Sequence, residues 1–122
     1  RRFMNKKQEK NKQKRLRKEL DKIIQRTFTQ GLCLVCGTKP ATCVHHFIPK
    51  SQSNNLRDDP KNLVPICRGC HFAHHTKGDP EIHRKIERIR GKAWADDLQA
   101  RRYIIKKFTI GYLEGEIEQY GN

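Results

Sequence analysis

The chain has 122 residues and a mass of 14.4 kDa, enough for one small domain with extensions and too little for two of ordinary size. Apolar residues make up 34% of it and charged residues 33%, so side-chain packing alone supplies a thin core and a structural metal is the natural supplement. The net charge of +14 points to a polyanionic partner, most often nucleic acid, and no apolar run approaches the roughly 18 residues of a membrane span.

The charge is concentrated at the start, where residues 1–18 carry ten Lys and Arg against one acid, Glu9. Such a run reads either as a solvated tail or as a basic arm. From Lys10 to Phe28 the apolar residues Leu16, Leu20, Ile23, Ile24 and Phe28 recur at helical spacing, which predicts one amphipathic helix whose first turns form that arm and which Gly31 ends. The cysteine pair of CLVCG then falls in a turn, and ATCVHHFI is a short β-prone segment closed by Pro49. SQSNNLRDDPKN is rich in turn formers and predicts a loop, after which NLVPI predicts a second short strand running into the second cysteine pair. After Cys70 a short helix is expected, stopped by Gly78. Asp79 and Pro80 then mark the cap and first position of another, with Ile82, Ile86 and Ile89 on one face and Gly91 at its end. A segment with Trp94 and Leu98, and one capped by Thr109 with Ile110, Leu113, Ile117 and Tyr120, complete a helical tail whose apolar stripes are core by default.

No signal peptide is visible, so a reducing, intracellular setting is expected, in which five cysteines suit metal better than disulfides. Cys33-x-x-Cys36 and Cys67-x-x-Cys70 are two knuckles, each able to put two thiolates on one tetrahedral zinc ion at about 2.3 Å. Thirty residues separate the pairs, so the insert is a unit of its own. Cys43 is left over and reads as a small buried hydrophobe on the first strand.

Five of the six histidines fall in two clusters, His45-His46 and His71, His74, His75. Imidazole is the commonest metal ligand and the side chain best suited to proton transfer near neutral pH. On a helix, His71 and His75 are four residues apart and share a face, so both reach one ion, with His74 as a competitor. On a strand, His45 and His46 point to opposite faces, so that one can bind metal while the other faces substrate. The plainer alternative is a set of structural or surface histidines, which suits the isolated His83.

The run VHHFIP followed by DDPKNLVPICRGCH resembles the HNH nuclease motif of the ββα-metal fold, over roughly residues 31 to 76. The resemblance implies an α+β protein in which a two-stranded hairpin and a helix grip one divalent ion, with a four-cysteine zinc site as scaffold. It implies further that His45, His71 and His75 bind the catalytic metal, that His46 is the general base, and that Asn62 fixes the loop by hydrogen bonds. The layout divides as a basic amphipathic helix at 1–29, a zinc-stapled nuclease core at 30–78, and a helical extension at 79–122 packing on the core. It is similar to that of the phage NinG (Rap) recombination endonucleases, from which it departs at the metal site, where His71 stands in place of an asparagine.

The chemistry expected is hydrolysis of a phosphodiester, with His46 kept neutral to take a proton from the attacking water and its other ring nitrogen held by a carbonyl or amide acceptor. The resemblance implies 5′-phosphate and 3′-hydroxyl products and a catalytic cation such as Mg²⁺, Mn²⁺, Ni²⁺ or Zn²⁺ beside the structural Zn²⁺. Lys14, Arg15, Arg17 and Lys18 on the arm, with Arg57, Lys61 and Arg68 near the site, are candidate phosphate contacts; solvated surface charge is the alternative for each. The expected partner is DNA, including branched DNA, without a membrane, and a homodimer would suit a branched substrate whose two strands are both cut. The expected location is the cytoplasm of a bacterium or a phage-infected cell. Two other functions fit the same residues: a non-catalytic zinc-containing nucleic-acid-binding module, and an RNase of the same fold.

Overall fold

In a computed structural model that describes residues 3–121, the chain is a mixed α+β protein with five helices and one two-stranded sheet among the described residues. Arg1 and Arg2, the first cations of the expected arm, lie outside them. The chain divides into two units, one built from its two terminal helices and one spanning Phe28–Lys106.

The first helix, α1, runs from Lys6 to Thr27 and so begins four residues before the apolar periodicity does. Its start is a reciprocal cap: the Gln8 N–H donates to Asn5 Oδ1 (2.8 Å) and the Asn5 N–H to Gln8 Oε1 (2.9 Å). Leu16, Leu20, Ile23 and Ile24 form its buried stripe. The last helix of the chain, Ile110–Gly121, packs against α1, buries Leu113 and is capped by Thr109, whose Oγ1 accepts the Tyr112 N–H at 3.0 Å. An ion pair between Lys12 and Glu114 (3.7 Å) and a bond from Gln13 Nε2 to the Phe108 carbonyl (3.5 Å) join the same two segments. The tail expected at 79–122 as one extension is therefore shared: its last helix groups with α1, because the stripe of α1 needs a partner and a second amphipathic helix supplies one.

In the 28–106 unit, β1 (Cys43–His46) and β2 (Leu63–Ile66) pair antiparallel, with His45 opposite Val64 and His46 opposite Leu63. The first knuckle precedes them as a tight turn closed by the Cys33 N–H to Lys39 O (2.8 Å) and the Gly37 N–H to Cys33 O (2.9 Å), with Gly37 at a φ of +67° that a side chain would strain. It is tied to β2 by the Leu34 N–H donating to Pro65 O (2.9 Å). The helix α2 (Arg68–His75) follows β2 directly and starts ahead of Cys70, because the Cys67 sulfur caps it by accepting the Cys70 N–H at 3.4 Å. The helix α3 (Pro80–Arg90) is capped by Asp79 as its sequence predicts and buries Ile82 and Ile86. Ile89, expected beside them, lies on the last turn and is exposed. Gly91, at φ +99°, separates α3 from α4 (Lys92–Arg101). In chain order the remaining Ile110–Gly121 helix is α5. The core of this unit joins all its layers: Cys33 and Val35 from the knuckle, Phe47, Leu56, Val64 and Ile66 around the sheet, Cys67, Ile82 and Ile86, then Ala95 and Leu98 of α4.

Candidate active site and metal centres

Cys33, Cys36, Cys67 and Cys70 converge between the first knuckle and the start of α2, each sulfur within 4.8 Å of the others. Tetrahedral zinc with bonds of about 2.3 Å needs sulfurs about 3.8 Å apart, and the Cys36 and Cys67 sulfurs lie at 3.9 Å. The turns supply N–H donors to sulfur, from Cys36 to Cys33 (3.5 Å) and from Cys70 to Cys67 (3.4 Å). The backbone N–H and hydroxyl of Thr38 lower the Cys36 thiol to about 5, and the Cys70 N–H lowers Cys67. Burial and the neighbouring thiols of Cys67 and Cys33 push Cys70 up to about 12. Four sulfurs so close cannot all be thiolates without a cation among them, and the donor set suits zinc. Cys43 stands apart, half-buried against the core as a small hydrophobe.

The second constellation lies across β1 and α2. Strand alternation turns His45 toward α2, where helical spacing stacks His71 and His75 one turn apart, their rings 4.3 Å from each other. One nitrogen from each of the three lies within 4.8 Å of the others. His45 is 3% exposed, and neither of its ring nitrogens has a hydrogen-bond partner. A buried imidazole with both nitrogens unsatisfied is costly on its own, and a divalent ion fits that vacancy of partners and the three converging nitrogens together. Burial, reinforced by His74, His75, His71 and His83, lowers His45 from 6.5 to about 3. Burial also lowers His71 and His75, so all three rings are neutral and carry free lone pairs near neutral pH. His74 instead sets its ring edge-on to His45 at 4.7 Å and parallel to His83 at 6.3 Å. His83 in turn stacks on Phe47 at 4.2 Å, in keeping with a structural role.

His46 points to the other side of β1, toward the loop between the strands. Its Nε2 lies 2.9 Å from the Arg57 carbonyl oxygen. A carbonyl only accepts, so Nε2 carries the ring proton and Nδ1 carries the lone pair. Burial lowers the His46 pKa despite that carbonyl, which keeps the ring neutral near pH 7. Asn62, on a single 3-10 turn at Pro60–Asn62, has no exposed surface. Its Oδ1 accepts the Ile48 N–H (2.7 Å), and its Nδ2 donates to Ile48 O (3.0 Å) and Leu56 O (3.1 Å). One amide thus pins the exit of β1 to the residue just before Arg57.

The candidate phosphate contacts separate into two kinds. Lys14, Arg15 and Lys18 are exposed along α1, and Lys61 and Arg68 are exposed in the 28–106 unit. Arg17 is engaged: its guanidinium donates to Asp21 Oδ1 (2.8 and 3.1 Å) and lies over the Phe108 ring, its side chain 15% exposed. Arg57, singled out for its charge, holds His46 through its backbone. Nothing in the sequence marks that carbonyl, since any residue at position 57 has one.

A family model described as HNH endonuclease matches residues 33–77. The chain is also similar to a protein of Sarcophyton glaucum named mitochondrial DNA mismatch repair protein mutS homolog, 43% identical over 47 residues. That match takes in 35% of this chain and 5% of the relative. No solved structure matches the chain. The family match begins at the first zinc-type cysteine and ends just beyond α2, so it encloses both metal-type clusters, the hairpin and the buried asparagine: residues 33–77 are an HNH endonuclease domain.

Proposed function

We propose that the domain at residues 33–77 is catalytically active as a metal-dependent DNA endonuclease. His46 acts as general base, Asn62 fixes the loop behind it, His45, His71 and His75 hold one divalent ion, and Cys33, Cys36, Cys67 and Cys70 hold a structural zinc. The observation that carries the reading is His45, a buried ring with two unsatisfied nitrogens facing His71 and His75. When bound, the ion supplies positive charge against the negative charge that develops on the phosphate oxygens and the leaving 3′ oxygen. Proton transfer falls to the chain itself. His46 Nδ1 takes the proton of the attacking water while Nε2–H stays on the Arg57 carbonyl, so the ring cannot swing away as it becomes charged. Arg68 and Lys61, whose exposure in this unit supports the reading, meet backbone phosphates, which implies binding with little sequence information. The surplus of cations on α1 favours a long or branched DNA, of the kind met in recombination, over a short duplex.

The test is nicking of supercoiled plasmid in Mg²⁺, Mn²⁺, Ni²⁺ or Zn²⁺. Wild type is expected to nick in at least one of them, and His46→Ala to lose about 10²- to 10⁴-fold in rate while keeping its bound metal. Absence of nicking in every metal would instead make the domain a non-catalytic nucleic-acid-binding module. Matched RNA and DNA duplexes then separate an RNase from a DNase, and a four-way junction beside its linear arms separates a branched from a linear substrate.

A further inference from the structure

The loop between β1 and β2 carries the carbonyl that orients His46, yet its only regular structure is one 3-10 turn. Beside the Asn62 amide within it, the loop is held from elsewhere in the 28–106 unit. Arg101, the last residue of α4, grips the loop twice. Asn55 Nδ2 donates to the Arg101 carbonyl (3.0 Å), and Arg101 Nη1 donates to Asp59 Oδ2 (2.5 Å). Asn55 and Asp59 stand two residues before and two residues after Arg57. The guanidinium is pre-set by Asp97, one turn back on α4, through Nη2 (3.0 Å) and Nε (3.2 Å). Asp59 is set by the Lys61 N–H on its other oxygen (2.9 Å). The following residues extend the hold: Asn54 pairs in both directions with the Lys106 backbone (2.6 and 3.2 Å), and Arg102 Nη2 donates to Gln52 Oε1 (2.7 Å).

A partly exposed ion pair adds little to stability by itself, so its placement is the informative feature. Hydrogen bonds that orient a reacting imidazole are worth far more to catalysis than to folding, because a small displacement spoils the geometry of proton transfer. We propose that Arg101 is a positioning residue for the general base: by clamping Asn55 and Asp59 it fixes the Arg57 carbonyl, and through it the Nε2–H tautomer and aim of His46. This rests on the reading of His46 as the base.

Arg101→Ala, Arg101→Lys and Asn55→Ala test it in the zinc-loaded, full-length protein, by plasmid-nicking kinetics and by ¹⁵N NMR of the His46 ring. Arg101→Ala and Asn55→Ala are expected to lower kcat about ten- to a hundredfold with KM within about twofold, and to change His46 from one tautomer to a mixture. Arg101→Lys should restore part of both. A full kcat in both alanine variants, a loss carried by KM alone, or an undisturbed Nε2–H tautomer would overturn the proposal. If Arg101→Ala does not fold, Asn55→Ala, which keeps every charge, decides the matter. Should wild type fail to nick DNA, the nuclease reading falls, while the NMR measurement still decides whether Arg101 sets the His46 ring.

Discussion

Asn62 is the residue on which the geometry of the loop converges. It is fully buried and answers three backbone groups, the N–H and carbonyl of Ile48 and the carbonyl of Leu56. Truncating it leaves the Ile48 N–H and carbonyl without a partner in a site that water does not reach, while Leu56 O keeps only the Asp59 N–H (3.3 Å), a mechanism that costs more than a typical hydrogen bond contributes. Asn62→Ala should therefore destabilise the zinc-loaded protein by about 2–4 kcal/mol, measured by denaturant unfolding. Asn62→Asp should be at least as damaging, because the carboxylate keeps the bond from Ile48 N–H but faces two carbonyls where it had donated. A variant of either kind with unchanged stability would mean that the Asn62 bonds add nothing to the hold that α4 and the segment after it have on the loop.

At the scale of elements, the cysteine knuckles are what join the layers: Cys33 and Cys67 belong to the same buried cluster as Val35, Ile66, Ile86 and Leu98. Removing zinc should loosen that cluster as a whole. The single tryptophan is the reporter, since Trp94 of α4 donates from Nε1 to Lys61 O (2.8 Å) and lies 4.6 Å from the Phe47 ring. Chelation is expected to shift Trp94 emission to longer wavelength, and zinc to reverse the shift with release of protons, as a thiol raised to about 12 is deprotonated on binding. Emission that ignores chelation would make the cysteine site peripheral to the fold. The knuckles, the hairpin and the order of the histidines were legible because each is a local pattern, two residues between cysteines, a period of two on the strand, three or four on the helix. The Arg101 clamp and the pairing of α5 with α1 were not. Asp59 and Arg101 are 42 residues apart with no periodicity linking them, and the stripe of α5 reads the same whichever apolar surface it covers.

For the whole molecule, proton linkage and charge make separable predictions. His45 falls from 6.5 to about 3 in the fold, chiefly by burial, and burial also lowers His46, His71, His75 and His83. With zinc on the cysteines alone, the unfolded chain takes up protons below about pH 6.5 that the folded chain refuses. Stability present above pH 6.5 is then lost as the pH falls toward 3. Burial by itself would raise the Asp59 carboxyl, but the Arg101 bond, the Lys61 N–H and the adjacent charges hold it below 3.8, so its contribution is likewise lost in acid. The denaturation midpoint should drop between pH 7 and 4, and a rise would contradict the buried, neutral state of these rings. Charge acts through α1, where Lys14 and Lys18 stand one turn apart and repel, a pair that costs about 0.2–0.5 kcal/mol without a counter-charge. Each phosphate such a cation neutralises adds about 0.9 to the slope of log K against log salt. Replacing Lys14, Arg15 and Lys18 by alanine together should flatten that slope by about 3 and leave the free protein no less stable. Arg17→Ala should do the reverse, keeping the slope while lowering the melting temperature, because its guanidinium is committed to Asp21 and the Phe108 ring. If instead the triple replacement leaves the slope unchanged, Lys14, Arg15 and Lys18 are solvated surface and the DNA contacts are made by other residues.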